Sequence, residues 1–429
     1  MRVTPNAPAR WLRVRASLFV LLLTILAVAT PAVAQTVAIT GGKVFPVSGP
    51  PIDNGTVLIV DGTITAVGAN IAIPANATRI DARGKWVTPG LINASTRLGL
   101  VEIDAVDDTN DASAGGDRQV AAGFRSWDGL NPASILWAPA RNDGITSVVS
   151  LPGGGLIAGQ AALVDTREGD RAAMLRKAPV AMVINFGEAG SGGTRARGEM
   201  LMRLRELLVD ARTFAARRDA FENAGTRSFA AGRMHLDALA DVLAGKMPVL
   251  ADVDRAADIA TALDLAAEFK FRLIINGGAE AWQLADRLAK ERVVVLTGAL
   301  ANIPSSFATL GARQENAAIL RKAGVPIVLT ADRGETFRAR TIRQHAGNAV
   351  AYGLPWDEAL RALTLAPAEA FGVADAVGTL QPGRDANVVV WDGDPFEFTT
   401  HAVRVLIRGR DARTLSREDL LTARYARKQ

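Results

Sequence analysis

The chain has 429 residues, 49% of them hydrophobic and 22% charged, a composition typical of a globular protein with a substantial core. It has no cysteine and three histidines, which excludes a disulfide scaffold, a thiol catalyst, a zinc finger and an iron–sulfur protein. The formal charge of +5 falls to +1 without the four arginines of residues 1–34. The charge therefore gives no reason to expect a nucleic-acid partner.

Residues 1–34 have the features of a secretory signal segment: arginines near the start, an apolar run at 18–28, and an A-x-A motif at 32–34. The apolar run is shorter than the ~20 residues that a membrane-spanning helix needs. We therefore expect removal of 1–34, export to a bacterial periplasm, and no membrane association after cleavage. An uncleaved N-terminal anchor is the alternative.

Residues 35–88 alternate short β-rich runs with turn signals such as Gly41-Gly42 and Asp61-Gly62, which predicts a small antiparallel sheet. Residues 373–411 return to the same pattern, and residues 412–429 form a short tail. We predict that 35–88 and 373–411 together build one small β-sandwich from both ends of the chain.

Residues 89–372 change character, because apolar β-branched runs here alternate with amphipathic helical stretches. The predicted strands are 145–151, 180–185, 272–276, 292–297 and 326–332, and the predicted helices are 198–222, 232–244, 255–269, 279–290 and 312–323. Such alternation indicates a parallel α/β arrangement. The span of about 280 residues fits a (β/α)8 barrel, for which about 250 residues are typical.

Three stretches carry a resemblance to a known family: GTVLIVDGTITAVG through DARGKWVTPGLINASTRLGL, VPIVLTADRG, and EALRALTLAPAEAFGVADAVGTLQPGRDANVVVWDGDP. They resemble the amidohydrolase superfamily, in particular its imidazolonepropionase-like and dipeptidase-like branch. The resemblance implies an α/β fold with a distorted TIM-type barrel and a β-sandwich. It also implies hydrolysis of carbon–nitrogen bonds with one or two divalent metals that activate water.

In that family the first strand carries His-x-His, strands five and six each carry a histidine, and strand eight carries an aspartate that is both a ligand and a proton acceptor. The matching residues of this chain are Ser95, Arg97, Asp252, Asn276 and Asp332. Of the family's ligands only the strand-eight aspartate, Asp332, is kept. The guanidinium of Arg97 is positively charged and cannot bind a cation. The resemblance therefore implies a degenerate metal site, and we expect no bound metal.

The three histidines, His235, His345 and His401, do not follow predicted strands. We expect each to be an ordinary helix or surface residue rather than a metal ligand.

Three interpretations of the site remain open. The first is a non-catalytic pseudo-enzyme that binds a small ligand or stabilises a partner. The second is a metal-independent hydrolase in which Asp332 is the general base and Arg97 polarises a carbonyl. The third is an oxygen-ligand site for Mg²⁺ or Ca²⁺ at Asp252 and Asp332. The positive charge of Arg97 disfavours this third site.

Further pocket candidates are Asn93, Ser95, Asn276 and Glu188, the last because a Gly-Glu pair is similar in close relatives. We expect Arg97 to replace the lost metal electrostatically by pairing with Asp332 and Asp252.

The glycines at 153–155 are predicted to form a loop at the rim of the pocket, and the acidic segment 102–113 is predicted to be a solvated loop. The expected partners are a small-molecule ligand or substrate and, for assembly, a second copy of the chain or an active relative.

Overall fold

Two sheets of eight strands organise the computed structural model, which describes residues 35–115, 119–187, 190, 196–300, 303–331 and 336–426. The strands are β1 (Thr36–Val44), β2 (Ile52–Val60), β3 (Thr63–Gly68), β4 (Thr78–Asp81), β5 (Trp86–Pro89), β6 (Leu91–Thr96), β7 (Ile145–Ser150), β8 (Ile157–Asp165), β9 (Leu175–Asn185), β10 (Val249–Val253), β11 (Leu273–Gly277), β12 (Val294–Thr297), β13 (Ile327–Leu329), β14 (Val388–Trp391), β15 (Ala402–Ile407) and β16 (Arg410–Asp411).

The α-helices of the described residues lie mostly between the strands of the second sheet. They are α1 (Trp137–Asn142), α2 (Arg171–Met174), α3 (Arg197–Ala216), α4 (Arg218–Glu222), α5 (Arg233–Leu243), α6 (Ala256–Phe269), α7 (Ala285–Lys290), α8 (Asn316–Lys322), α9 (Ile342–Ala351), α10 (Trp356–Leu363), α11 (Leu365–Ala370) and α12 (Arg417–Tyr425).

The first sheet is built from both ends of the chain, in the order β16-β15-β14-β5-β1-β2-β3, with β4 paired to β1. Strand β14 pairs antiparallel with β5, so that Val388 lies opposite Pro89 and Trp391 opposite Trp86. Apolar side chains of both segments, among them Ile39, Val87 and Val390, form one core. The predicted sharing of this sheet by the two ends of the chain is confirmed.

The second sheet runs from β6 to β13 in chain order, and β13 lies against β6, so the sheet forms a nearly closed barrel. Its neighbouring strands are parallel except around β8, which is antiparallel to both β7 and β9. The predicted α/β fold with a distorted TIM-type barrel is confirmed, and the reversed third strand is its distortion.

The interior of the barrel is apolar over most of its length. Leu250, Ile274 and Val328 belong to a buried cluster that also includes Phe371 and residues of α11. Helix α11 and Phe371, which follow β13 in the chain, therefore pack against the apolar interior of the barrel. Polar side chains replace this apolar layer at the carboxyl ends of the strands, which is where (β/α)8 enzymes hold their sites.

A network of buried charges joins the barrel to the first sheet. Asp165, at the end of β8, is fully buried and accepts hydrogen bonds from Arg176 at 2.8 and 2.9 Å and from Ser147 at 2.9 Å. Arg408, which follows β15, lies 3.1 Å from the same carboxylate, and Arg176 also reaches Asp385 at 2.8 Å. These ion pairs fix the two sheets to each other.

The structure corrects several predicted elements. The predicted helix 198–222 is broken at Arg217, between α3 and α4, and the predicted helix 279–290 begins with a 3-10 turn at Ala281–Leu284. The predicted helix 312–323 begins only at Asn316. Strand β8 was not predicted, because its IAGQAALVD sequence is rich in small residues and its Gly159 has φ +129°.

Within the described part of the chain, no helix combines the length and the apolar character needed to cross a membrane. The predicted signal segment, residues 1–34, lies outside the described residues.

Candidate functional site

A cavity of about 530 Å³ opens at the carboxyl ends of the barrel strands. Residues at or just after the ends of β9 to β13 line it, together with the loop around Ser305 and Thr309. Its position matches the end of the barrel where sites of this fold occur. We take this cavity as the candidate site.

Three polar side chains lie next to one another at the base of the site. Asp252 on β10 is directly opposite Asn185 on β9 and Asn276 on β11 in parallel register. The residues two positions earlier on these strands belong to the barrel interior, and side chains alternate along a strand, so the three polar side chains face inward. Asp252 and Asn185 line the cavity, whereas Asn276 is buried and does not.

Asp254 is a second carboxylate of the cavity lining, two residues beyond Asp252. Burial raises the pKa of Asp254 to about 6, a backbone hydrogen bond from Ala279 opposes this shift, and the negative charge of Glu280 adds to it. The Ala279 N–H donates to Asp254 Oδ1 at 3.2 Å. Asp254 therefore changes its protonation state close to neutral pH.

Backbone hydrogen bonds hold Glu280 in place beside Asp254. Its two carboxylate oxygens accept from the N–H groups of Ala256, at 2.9 Å, and Gly311, at 2.8 Å. These bonds hold Glu280 at the place from which its negative charge raises the pKa of Asp254.

His345 supports the same end of the barrel from α9. Its fully buried ring accepts hydrogen bonds at Nδ1 from the N–H groups of Ala299, at 3.0 Å, and Leu300, at 3.3 Å. A Cβ atom on Gly298, which lines the cavity, would lie 3.2 Å from this nitrogen. His345 therefore positions the segment after β12. No sequence pattern signals this role, because the contact joins positions more than forty residues apart.

The other two histidines lie elsewhere. His235 Nδ1 accepts from the Gly123 N–H at 3.0 Å, and the exposed His401 lies 3.7 Å from Asp392. Neither lines the cavity.

Asn93 and Ser95 on β6 do not line the cavity, contrary to the expectation that both are pocket residues. The Asn93 amide donates to the Ala339 carbonyl at 3.0 Å and accepts from the Ser95 N–H at 3.1 Å. The Ser95 hydroxyl is buried, without a hydrogen-bond partner in the described structure. Asn93 therefore ties the first barrel strand to the 3-10 helix Phe337–Thr341.

Arg97 follows β6 and is half-buried. Burial lowers the pKa of Arg97, and the charge of Asp104 partly offsets this effect. Among the described residues Arg97 forms no ion pair, so the expected pairing with Asp252 is wrong. Asp332 and Glu188 lie outside the described residues, and their predicted roles stay predictions.

The glycine loop lies between Arg97 and the cavity. A Cβ atom on Gly153 would lie 2.3 Å from the Arg97 guanidinium. From the other side, Asn185 Nδ2 donates to the carbonyls of Gly155, at 2.6 Å, and Gly154, at 3.3 Å. The loop thus lies beside the pocket rim, between Arg97 and Asn185.

The residues at the family's ligand positions do not fit a zinc site. Zinc takes thiolate, imidazole or carboxylate ligands, and a catalytic zinc needs three of them from the protein. Only Asp252 and Asp332 carry such a group, whereas Ser95, Arg97 and Asn276 supply a hydroxyl, a guanidinium and an amide. Among the residues that the structure describes, no group of three or more His, Cys, Asp or Glu could hold a metal ion. The alternative oxygen-ligand site at Asp252 and Asp332 stays a prediction, because Asp332 is not described.

Comparisons with known proteins agree with this architecture. The sequence model of the amidohydrolase family matches residues 235–415. The chain is 25% identical over 395 residues to the amidohydrolase tasK of Hapsidospora irregularis, covering 83% of this chain. It spans 39% of the length of that relative.

Solved structures extend the similarity to nearly the whole chain. An amidohydrolase from Thermotoga maritima MSB8 superposes with a TM-score of 0.80 at 28% identity, covering 87% of this chain and 99% of that one. Molinate hydrolase, with a TM-score of 0.56 at 20% identity over 88% of this chain and 94% of that one, supports the fold alone. With the distorted barrel, the sheet shared by both chain ends and the cavity at the strand ends, these matches show that the chain belongs to the amidohydrolase superfamily.

Proposed function

We propose that the chain hydrolyses an amide-type carbon–nitrogen bond of a small ligand in the cavity, with Asp254 as the general base. The observation that carries the proposal is the position of Asp254 in the cavity lining, where burial raises its pKa to about 6. A base is most effective when its pKa lies near the working pH.

The protonation state of Asp254 determines whether it can act as the base. Above pH 6 the Asp254 carboxylate is ionised and can accept a proton from a water molecule that attacks the amide carbonyl. The protonated carboxyl then returns this proton to the amine nitrogen as the carbon–nitrogen bond breaks, which regenerates the base. General base catalysis contributes a factor of about 10² to 10⁴, so we expect slow turnover. The residues at the family's ligand positions do not fit a metal, so the proposed base acts on the water molecule directly.

The test is release of amine by the purified protein from a panel of N-acyl amino acids, dipeptides and substituted ureas. Asp254→Asn should lower the rate at least about tenfold, because it removes the proton acceptor. Asp286→Asn, which changes an exposed carboxylate on α7, is the matched control and should leave the rate unchanged. Absence of amine release from every compound would overturn the proposal.

A second candidate function is non-catalytic: a pseudo-enzyme that binds a small ligand or stabilises a partner. The replacement of the family's imidazoles by Ser95, Arg97 and Asn276 favours it. Ligand binding without amine release would support this candidate. Light scattering of the purified chain would show a homo-oligomer. Light scattering of the chain mixed with an active relative would show a complex of the two.

We also propose export to the periplasm. The arginines, the apolar run and the A-x-A motif of residues 1–34 support it. N-terminal sequencing of the protein recovered from the periplasm should find Gln35 first, and Met1 on the recovered protein would contradict cleavage.

A further inference from the structure

A second cavity, of about 450 Å³, opens at the amino ends of the barrel strands, at the opposite end from the candidate site. Residues at the starts of β11, β12 and β13 line it, together with residues of α8, α10 and α11. Its volume lies within the range of ligand pockets, roughly 300 to 1,000 Å³. We call it the basic cavity, because its charged lining residues are four arginines and two glutamates: Arg272, Arg292, Arg321, Arg361, Glu358 and Glu369.

The positive charge of the basic cavity is only partly neutralised. Two ion pairs of 2.7 Å occupy both glutamates of the lining: Arg321 with Glu358, and Arg361 with Glu369. Arg272 and Arg292 form no ion pair with any residue that the structure describes. Two guanidinium groups of the lining are therefore available to an anion that enters from solution.

These two arginines come from neighbouring strand starts. Ile274 of β11 lies opposite Val294 of β12 in parallel register, and Arg272 and Arg292 each lie two residues earlier. Neighbouring strands are about 5 Å apart. On the next strand, β13, the matching position is Gly324, and a Cβ atom there would meet no other atom within 4 Å. The two arginines thus border one open space.

We propose that the basic cavity binds a phosphate monoester with a compact apolar group. Two neighbouring guanidinium groups repel each other, and an anion between them replaces this repulsion with attraction. A phosphate monoester has a charge of about −1.5 to −2 at pH 7 and three terminal oxygens. It can therefore accept hydrogen bonds from Arg272 and Arg292 together, whereas a carboxylate has two oxygens and fits a single guanidinium.

The remainder of the lining suits the organic group of the ester. All lining residues other than the arginines and glutamates are apolar, among them Leu273, Ile327 and Ala366. Burial of an apolar group against such side chains is favourable. An ester with an apolar group should therefore bind more tightly than inorganic phosphate.

The experiment is calorimetric titration of the full chain at pH 7 with phenyl phosphate. Inorganic phosphate, benzoate and phenol are titrated in parallel, because they lack the apolar group, the phosphate and the charge, respectively. Phenyl phosphate should bind at least about tenfold more tightly than each of the three. The measurement is of binding alone and involves no residue of the candidate site, so it fails or succeeds separately from the proposed function.

The first variant pair examines the guanidinium of Arg272. Arg272→Met should lower the affinity for phenyl phosphate about 10- to 100-fold, because it removes a charge-assisted contact from an exposed side chain. Arg272→Lys keeps the charge without the planar fork, so it should lose less affinity than Arg272→Met.

The second variant pair is matched in backbone conformation. Arg292 and Lys270 follow α7 and α6 with φ of +54° and +61°, a region that glycine adopts without strain, so both Arg292→Gly and Lys270→Gly should fold. Each removes one positive charge, but only Arg292 lines the basic cavity. Arg292→Gly should lower the affinity about 10- to 100-fold, and Lys270→Gly should leave it unchanged.

Four results would overturn the proposal. The first is no detectable binding of phenyl phosphate. The second is binding of inorganic phosphate, benzoate or phenol as tight as that of phenyl phosphate. The third is an affinity that survives both Arg272→Met and Arg292→Gly, which would place the ligand elsewhere on the molecule. The fourth is an equal loss in Lys270→Gly and Arg292→Gly, which would show an effect of net charge alone.

Discussion

Asp254 is a residue at which function and stability oppose each other. Its pKa is raised from 3.8 to about 6, so the folded state binds the proton more tightly than the unfolded chain does. The stabilising contribution of the protonated form is complete below about pH 4 and is lost as the pH rises through 6. At neutral pH the ionised side chain therefore destabilises the fold.

We expect Asp254→Asn to raise the free energy of unfolding at pH 8, because the amide removes a buried charge and can still accept from Ala279. The gain should be at most about 3 kcal/mol, the free energy that corresponds to a pKa difference of roughly two between the folded and unfolded states. It should decrease as the pH is lowered through 6 and disappear near pH 4. Urea denaturation at pH 8, 6 and 4 measures it, and a loss of stability at pH 8 would contradict the assignment.

A second prediction compares the same substitution, arginine to methionine, at Arg97 and at Arg176. Arg176→Met should cost about 3 to 5 kcal/mol, because it leaves the fully buried Asp165 with one ion-pair partner fewer. Arg97→Met should cost much less or stabilise the fold, because no described carboxylate loses a partner and a desolvated charge disappears. Thermal unfolding of both variants tests this. Equal losses would mean that Arg97 is held by a structural ion pair.

The sequence could locate some site residues because motifs mark them. Asp252 lies at the end of an apolar run, and it lines the cavity. The segment around Ser95 and Arg97 also follows a recognisable strand entry, but neither residue lines the cavity. Asp254 and His345 were missed for a physical reason. The pKa of Asp254 depends on burial and on Glu280, and the role of His345 depends on a loop that follows a different strand. The residues that neighbour Asp254 and His345 in the sequence therefore show no pattern that indicates the raised pKa or the hydrogen bonds.

At the scale of elements, the parallel strands were the easiest to predict, because continuous β-branched runs mark buried strands. Strand β8 escaped prediction, since its burial is complete but its side chains are small. The break between α3 and α4 at Arg217 was also invisible, because the residues on both sides favour a helix. Tertiary packing, rather than local preference, decides these two places.

Strand β14 leads to a third prediction, through Trp391 at its end. This fully buried side chain donates to Thr88 Oγ1 at 2.9 Å, and its ring fills the space beside Gly144 at the start of the second barrel strand. Trp391→Ala should cost about 3 to 5 kcal/mol by leaving a cavity between sheet and barrel. Denaturant unfolding measures the loss, and the exposed Phe398→Ala is the control, which should cost little.

A fourth prediction concerns the two chain ends. A chain that stops at residue 372 lacks β14 to β16, which exposes the edge of β5 and the apolar face of the first sheet. It should unfold at a lower temperature than the whole chain or aggregate. Circular dichroism during heating tests this, and full thermal stability of the shortened chain would show that the first sheet does not need its C-terminal strands.

At the scale of the whole molecule, the fifth prediction is that the protein purifies without stoichiometric zinc. The hydroxyl, guanidinium and amide at Ser95, Arg97 and Asn276 are poor replacements for neutral imidazoles. Elemental analysis after dialysis should find zinc well below one equivalent. One full equivalent that survives dialysis would show that residues outside this set build a metal site.

The shared sheet also has a consequence for the order in which the molecule can fold. Strand β5 pairs with β14, and about 300 residues separate Val388 from Pro89, so this contact has a very high contact order. During synthesis the ribosome releases the entire barrel before it releases the strands that complete the first sheet. The edge of β5 therefore stays unpaired until about the last tenth of the chain, residues 388–429, has been synthesised and its strands complete the first sheet.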